Sequence, residues 1–132
     1  MTRSPHRLLA TIVGAGYLLV GILGVVLTLG DPPFDPAGVL LIGLVSANTG
    51  QSLIHVLLGS ALLIVGLTNP DAARKVNTVA GTFCLAFGIA GLFLAGSTVN
   101  VLALNAAGNV LHFGSAVMLL AVGLGATKPA QV

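Results

Sequence analysis

Residues 47–59 read ANTGQSLIHVLLG, and residues 104–116 read LNAAGNVLHFGSA. Each stretch places an Asn seven residues before a His and runs on into an apolar segment. His55 and His112 are the side chains with the widest chemistry available to them. Neutral imidazoles can hydrogen-bond across a helix bundle and hold it in register, at about 0.6–2 kcal/mol per polar contact in a membrane. Two of them can ligate a haem, here haem b, from opposite sides. They can carry or sense a proton. They can bind a metal, although two His without a carboxylate or second Cys make a poor site. The register-holding reading needs no further group, so no metal or cofactor is expected, with haem b as the alternative.

The residues around each His narrow these readings. Asn48 and Asn105 precede apolar runs, where an N-cap must accept backbone N–H groups that lipid cannot satisfy. Gln51 stands where a capping box wants Glu or Gln; the second half has Gly108 there. With the Asn residues as caps, each His lies about 10 Å below its helix start. A polar group at that depth needs a partner. Ser52, Gln51 and Asn109 are candidates, as is a side chain across the bundle.

No catalytic set accompanies the pair. The chain has no Glu, and Asp31, Asp35 and Asp71 all fall between apolar stretches. Tyr17 and Cys84 occupy matching positions in their spans without an evident activating partner. A lone buried Cys is expected to pack rather than react.

The elements that position these residues must lie in a membrane. The 132 residues are 56% hydrophobic and 6% charged, with a mean hydropathy of +1.09. A soluble domain carries about a quarter charged residues. The five Lys/Arg are too scattered for a nucleic-acid surface, and the absence of Trp predicts a weak aromatic belt.

Four stretches approach the roughly 20 apolar residues a span needs: Leu8–Leu29, Thr49–Leu67, Val76–Gly96 and Asn105–Gly125. GDPPFDP, TNPDAARK and TKPAQV interrupt or end them. The first span is too long for a signal peptide and has no A-x-A site before GDPP. Arg3, Arg7, Arg74, Lys75 and Lys128 fall on one side, and Asp31 and Asp35 on the other. The positive-inside rule predicts cytoplasmic termini. Ala37–Ala47 is apolar but too short to span. It is expected to lie in the interface, fold back as a short hairpin or extend the helix.

The chain is a duplicated hairpin. Gly14, Gly21 and Gly24 match Gly81, Gly88 and Gly91, and Gly66 matches Gly123, with ten extra residues in the first outer loop. Both halves start and end on one side, so the repeats are parallel, related by an axis along the membrane normal. Asn48, Ser52, His55, Gly59 and Gly66 form one stripe, as do Asn105, Asn109, His112, Ala116 and Gly123. The glycines of the first and third spans should let helices approach closely. The expected fold is an all-α integral membrane protein: four transmembrane helices in one bundle, from parallel hairpin repeats spanning about 8–67 and 76–125.

The segments LIGLVSANTGQSLIHVLLG and VLALNAAGNVLHFGSA resemble a family of small four-span membrane proteins common in actinobacteria, known as a domain of unknown function. In that family the position three before each His is often Asn; Asn109 fits, and Ser52 departs. The resemblance implies a bacterial inner-membrane protein and supplies no activity for it. The expected function is non-enzymatic: a structural or accessory protein in the lipid bilayer, associating with itself or a larger membrane complex. A haem-binding electron-transfer protein and a proton or small-solute transporter are the alternatives.

Overall fold

The computed structural model describes residues 4–125. The order is α1 (Pro5–Leu27), β1 (Val39–Leu41), β2 (Val45–Ala47), α2 (Thr49–Thr68), α3 (Pro70–Leu94) and α4 (Ala106–Leu124). All four helices are long and apolar enough to cross a membrane, making this an all-α, multi-pass membrane protein. Arg7, Arg74 and Lys75 mark the basic end; the loops after α1 and α3 mark the hairpin end. Arg3 and Lys128 lie outside the described residues.

Two of the helices, α1 and α3, begin earlier than their apolar runs. Ser4 caps α1 by accepting from the Arg7 N–H, with Pro5 next. Asn69 both ends α2 and starts α3. Its N–H donates to the Val65 carbonyl, while its side chain accepts from the N–H groups of Asp71 and Ala72, each at 3.0 Å. Pro favours the first helical position because its missing N–H costs nothing there. The expected span starts at Leu8 and Val76 are therefore corrected to Pro5 and Pro70, and the ends at Leu29 and Gly96 to Leu27 and Leu94. The 25 residues of α3 extend about 37 Å, beyond a hydrocarbon core of about 30 Å.

α1 packs mainly on α2, and α3 on α4. A Cβ on Gly14 would lie 2.5 Å from the Leu63 nitrogen, and one on Gly21 2.6 Å from that of Val56. On α2, a Cβ at Gly59 would meet the Leu18 nitrogen, and one at Gly66 would lie 2.7 Å from that of Thr11. Backbone therefore faces backbone along the first hairpin. In the second, Gly81 approaches the Leu120 nitrogen, but Gly88 faces the Phe113 ring and Gly91 the Asn109 amide. Ala116 stands where Gly59 does, so the second hairpin has no counterpart of that close approach.

The repeat includes an unforeseen pair of caps. Arg7 donates through Nε to Gly66 O (2.9 Å) and through Nη2 to Leu67 O (2.6 Å). Arg74 donates likewise to Gly123 O (3.1 Å) and Gly125 O (3.4 Å). Each guanidinium covers the end of its hairpin partner, where carbonyls lack helical donors. Both Arg residues precede the first glycine of their repeat by seven positions, a signal available in the sequence.

Of the three forms expected for residues 37–47, the chain takes the short hairpin. β1 and β2 pair antiparallel, with Val39 opposite Ala47 and Leu41 opposite Val45. Ile42 (φ 46°) and Gly43 (φ 73°) make the turn, closed by the Leu44 N–H on Leu41 O at 3.0 Å. Two consecutive left-handed residues give the twist a tight hairpin needs.

Asn48 and Asn105 sit at the N-caps of α2 and α4. The Asn48 oxygen accepts from the Gln51 N–H at 2.9 Å, and that of Asn105 from the Gly108 N–H at 2.8 Å. Each amide nitrogen makes one bond across to the other repeat, Asn48 to Val101 O and Asn105 to Leu44 O, and Asn48 donates also to Asp35 O within its own repeat. Gln51, oriented to satisfy its amide, donates to Ser46 O (3.0 Å) and Leu102 O (3.2 Å). It bridges the two outer loops rather than completing a capping box. Asn48→Ala is expected to cost about 2 kcal/mol and Asn105→Ala about 1 kcal/mol, because Asn48 is buried and loses a bond to Asp35 O besides its cap and its crossing bond. Unfolding in mild detergent measures both; equal losses would show that the additional Asp35 bond of Asn48 contributes nothing.

Candidate functional site

The two hairpins meet along a polar seam. His55 from α2 and His112 from α4 place their Nε2 atoms 3.4 Å apart, with ring centroids separated by 5.7 Å. Both are buried. The repeat brings them to one depth, and the parallel relation of the repeats turns them toward each other. Tyr17 from α1 sets its ring edge-on to His55 at 5.1 Å, and Phe87 from α3 lies 5.7 Å from His112. The Tyr17 hydroxyl donates to Ser115 Oγ at 3.1 Å and lies 3.4 Å from Cys84 Sγ. All four helices thus supply a polar side chain to one junction. Toward the basic end, Leu62 and Leu119 are fully buried and close the core.

Ser52 and Asn109 do not join it. Ser52 Oγ packs against Gly24, and the Asn109 amide against Gly91. These contacts lie within their own hairpins, so neither residue partners a His. Helix rotation explains the correction: the close glycine contacts turn each side chain one helical turn above the His toward its hairpin mate. The Ser52 hydroxyl, the Asn109 carbonyl oxygen and both His Nδ1 atoms have no hydrogen-bond partner.

The ring pair has definite chemistry. In a direct Nε2–Nε2 hydrogen bond one ring donates and the other accepts, which fixes opposite tautomers. A separation of 3.4 Å is longer than an ordinary N–H hydrogen bond. Metal–imidazole bonds are about 2 Å, so an iron between the rings needs roughly 4 Å and a clear plane for its porphyrin. The closer approach, with Tyr17 and Phe87 against the rings, does not suit a haem. Among the described residues, no three His, Cys, Asp or Glu side chains cluster as metal ligands.

A family model described as a domain of unknown function (DUF4383) matches residues 7–125. The chain belongs to the DUF4383 family. No curated protein and no solved structure matches it. The DUF4383 match spans both hairpins, from the first Arg cap to the end of α4, and includes both His residues.

In this DUF4383 chain, sequence reasoning missed Ser115 and the meeting of Tyr17 with Cys84. Two signals pointed there. Ser115 follows His112 by three residues on the same helix face, and the only Tyr sits inside a span, where its hydroxyl must find a partner.

Proposed function

We propose that this DUF4383 protein is an accessory subunit that docks through its hairpin end onto another membrane-protein chain. In this reading His55 and His112 hold its two halves in register. The observation that carries it is the outward face of the β1–β2 hairpin. Leu40, Ile42 and Leu44 are 58%, 80% and 61% exposed. Ile42 also holds a left-handed backbone, unfavourable for a β-branched residue and characteristic of positions kept for a role. Phe34, Val99 and Val101 extend the exposed apolar surface. Contiguous apolar groups outside the spans suit a protein surface. The packed Leu62 and Leu119 layer supports a structural role over passage of a solute.

The proposed location is the bacterial cytoplasmic membrane, with the basic end inside. Arg7, Arg74 and Lys75 at one end and Asp31 and Asp35 at the other support that orientation. No cofactor takes part.

Native mass spectrometry of the protein, gently extracted from its own membrane, tests the docking. The wild type should carry a second protein chain, either another copy or a different subunit. The double variant Ile42→Ser/Leu44→Ser should remain folded and lose that chain, with at least tenfold weaker association. A wild type that is monomeric and free of other chains, or a variant that keeps its partner, overturns the proposal.

A further inference from the structure

We propose that the groove at the basic end of the second hairpin binds an anionic phospholipid, headgroup against Arg74 and Lys75 and acyl chain along α3. Two cavities carry the inference. One, of about 600 Å³, is lined by Asp71, Arg74, Lys75, Thr78, Val79 and Gly123. The other, of about 300 Å³, is lined by Thr78, Val79, Thr82, Phe83 and Ala86. Thr78 and Val79 border both, so the two adjoin along α3 as a trough charged at one end and mostly apolar at the other.

The dimensions fit a lipid in one leaflet. From Asp71 to Ala86 the trough follows fifteen residues of α3, about 22 Å at the helical rise. Half of a bilayer of roughly 40–45 Å, headgroups included, has the same depth. Val79 and Phe83 are each 56% exposed along the lower wall, so an acyl chain has apolar surface to cover. At the mouth, Arg74 is pinned by its bonds to Gly123 O and Gly125 O. A guanidinium has five N–H donors, so this one can hold the helix end and still present donors to a phosphate. Two cations and the Asp71 carboxylate leave one net positive charge. That balance matches a phosphodiester monoanion whose polar head carries hydroxyl donors for Asp71.

The duplication supplies an internal control. The position of Lys75 is held by Leu8 in the first repeat, that of Asp71 by Ser4 and that of Phe83 by Gly16. Arg7 keeps the capping role of Arg74, with Leu8 rather than a cation next to it. The Arg is therefore explained by capping in both halves, whereas Lys75 belongs to the second alone. Basic pockets beside membrane helices recognise anionic headgroups through this chemistry.

The test is native mass spectrometry of the full-length protein, titrated with phosphatidylglycerol or with phosphatidylcholine of the same chains. Inorganic phosphate and glycerol phosphate serve as soluble competitors. The wild type should prefer phosphatidylglycerol. Lys75→Leu, which copies the first repeat and leaves the Arg cap in place, should lower that preference about fivefold at unchanged thermal stability. Leu8→Lys should raise it. Equal binding of the two lipids, or a Lys75→Leu variant with undiminished preference, overturns the proposal. Displacement of the lipid by millimolar glycerol phosphate also overturns it, because the site would then recognise a soluble phosphate.

Discussion

Gly59→Ala is expected to destabilise the protein by about 2–3 kcal/mol, a large loss for one methyl group. The added Cβ would meet the Leu18 nitrogen and lie 2.8 Å from both Gly14 O and the Leu18 Cα. All of these are backbone atoms, so no side chain can turn aside, and α1 must retreat from α2. Overpacking of this kind costs about 1–3 kcal/mol, and the retreat also loosens the neighbouring contacts at Gly14 and Gly21. Gly16→Ala and Gly114→Ala are the controls, since a Cβ at either meets nothing within 4 Å. They should be neutral or stabilising by up to about 1 kcal/mol, the usual gain of Ala over Gly in a helix. Equilibrium unfolding in mild detergent separates the cases. If Gly59→Ala is as stable as Gly16→Ala, the close packing of the first hairpin does not hold the fold.

The second large effect concerns the imidazole pair. Either His55→Leu or His112→Leu should cost about 2 kcal/mol, because the surviving ring keeps a buried nitrogen whose partner has gone. The double variant should cost about 2.3–3.4 kcal/mol, less than the about 4 kcal/mol that independent losses would give. Replacing both partners removes the unmet imidazole nitrogens together, while Tyr17 keeps its bond to Ser115. The resulting coupling should fall near 0.6–1.7 kcal/mol, the range found between membrane helices. In the accessory reading, the double variant still folds and still associates with its partner. Strictly additive losses would show that the rings do not interact. A stable double variant that loses its physiological effect while keeping its partner would give the pair a role beyond register.

The parts of this architecture written in local chemistry were legible in the sequence. Long apolar runs gave the four helices, and the matched glycines gave the hairpin pairs. Asn48 and Asn105 stand before those runs, where lipid makes a cap obligatory, and they occupy the N-caps. Helix starts were placed too late at Leu8 and Val76, because polar first turns at Pro5 and Pro70 carry caps rather than hydropathy. The partners of His55 and His112 depended on helix rotation. That rotation is set by contacts such as Gly24 on Ser52 and Gly91 on Asn109, which no single-strand periodicity contains. Gln51 was misread for the same reason: its neighbours Ser46 and Leu102 come from separate loops. The Arg caps have a signal in the repeated spacing of Arg and glycine, whereas the sum of charges at one end speaks only to orientation.

The single residue Asn69 between α2 and α3 has a mechanical consequence. Many carriers work by rocking one repeat against the other around a central site, which requires slack where the repeats join. Here Asn69 leaves none at the basic end. At the opposite end, the Asn48–Val101 and Asn105–Leu44 bonds tie the repeats in both directions. A body clamped top and bottom keeps its two histidines face to face. In the accessory reading such a body serves as a brace rather than as an engine.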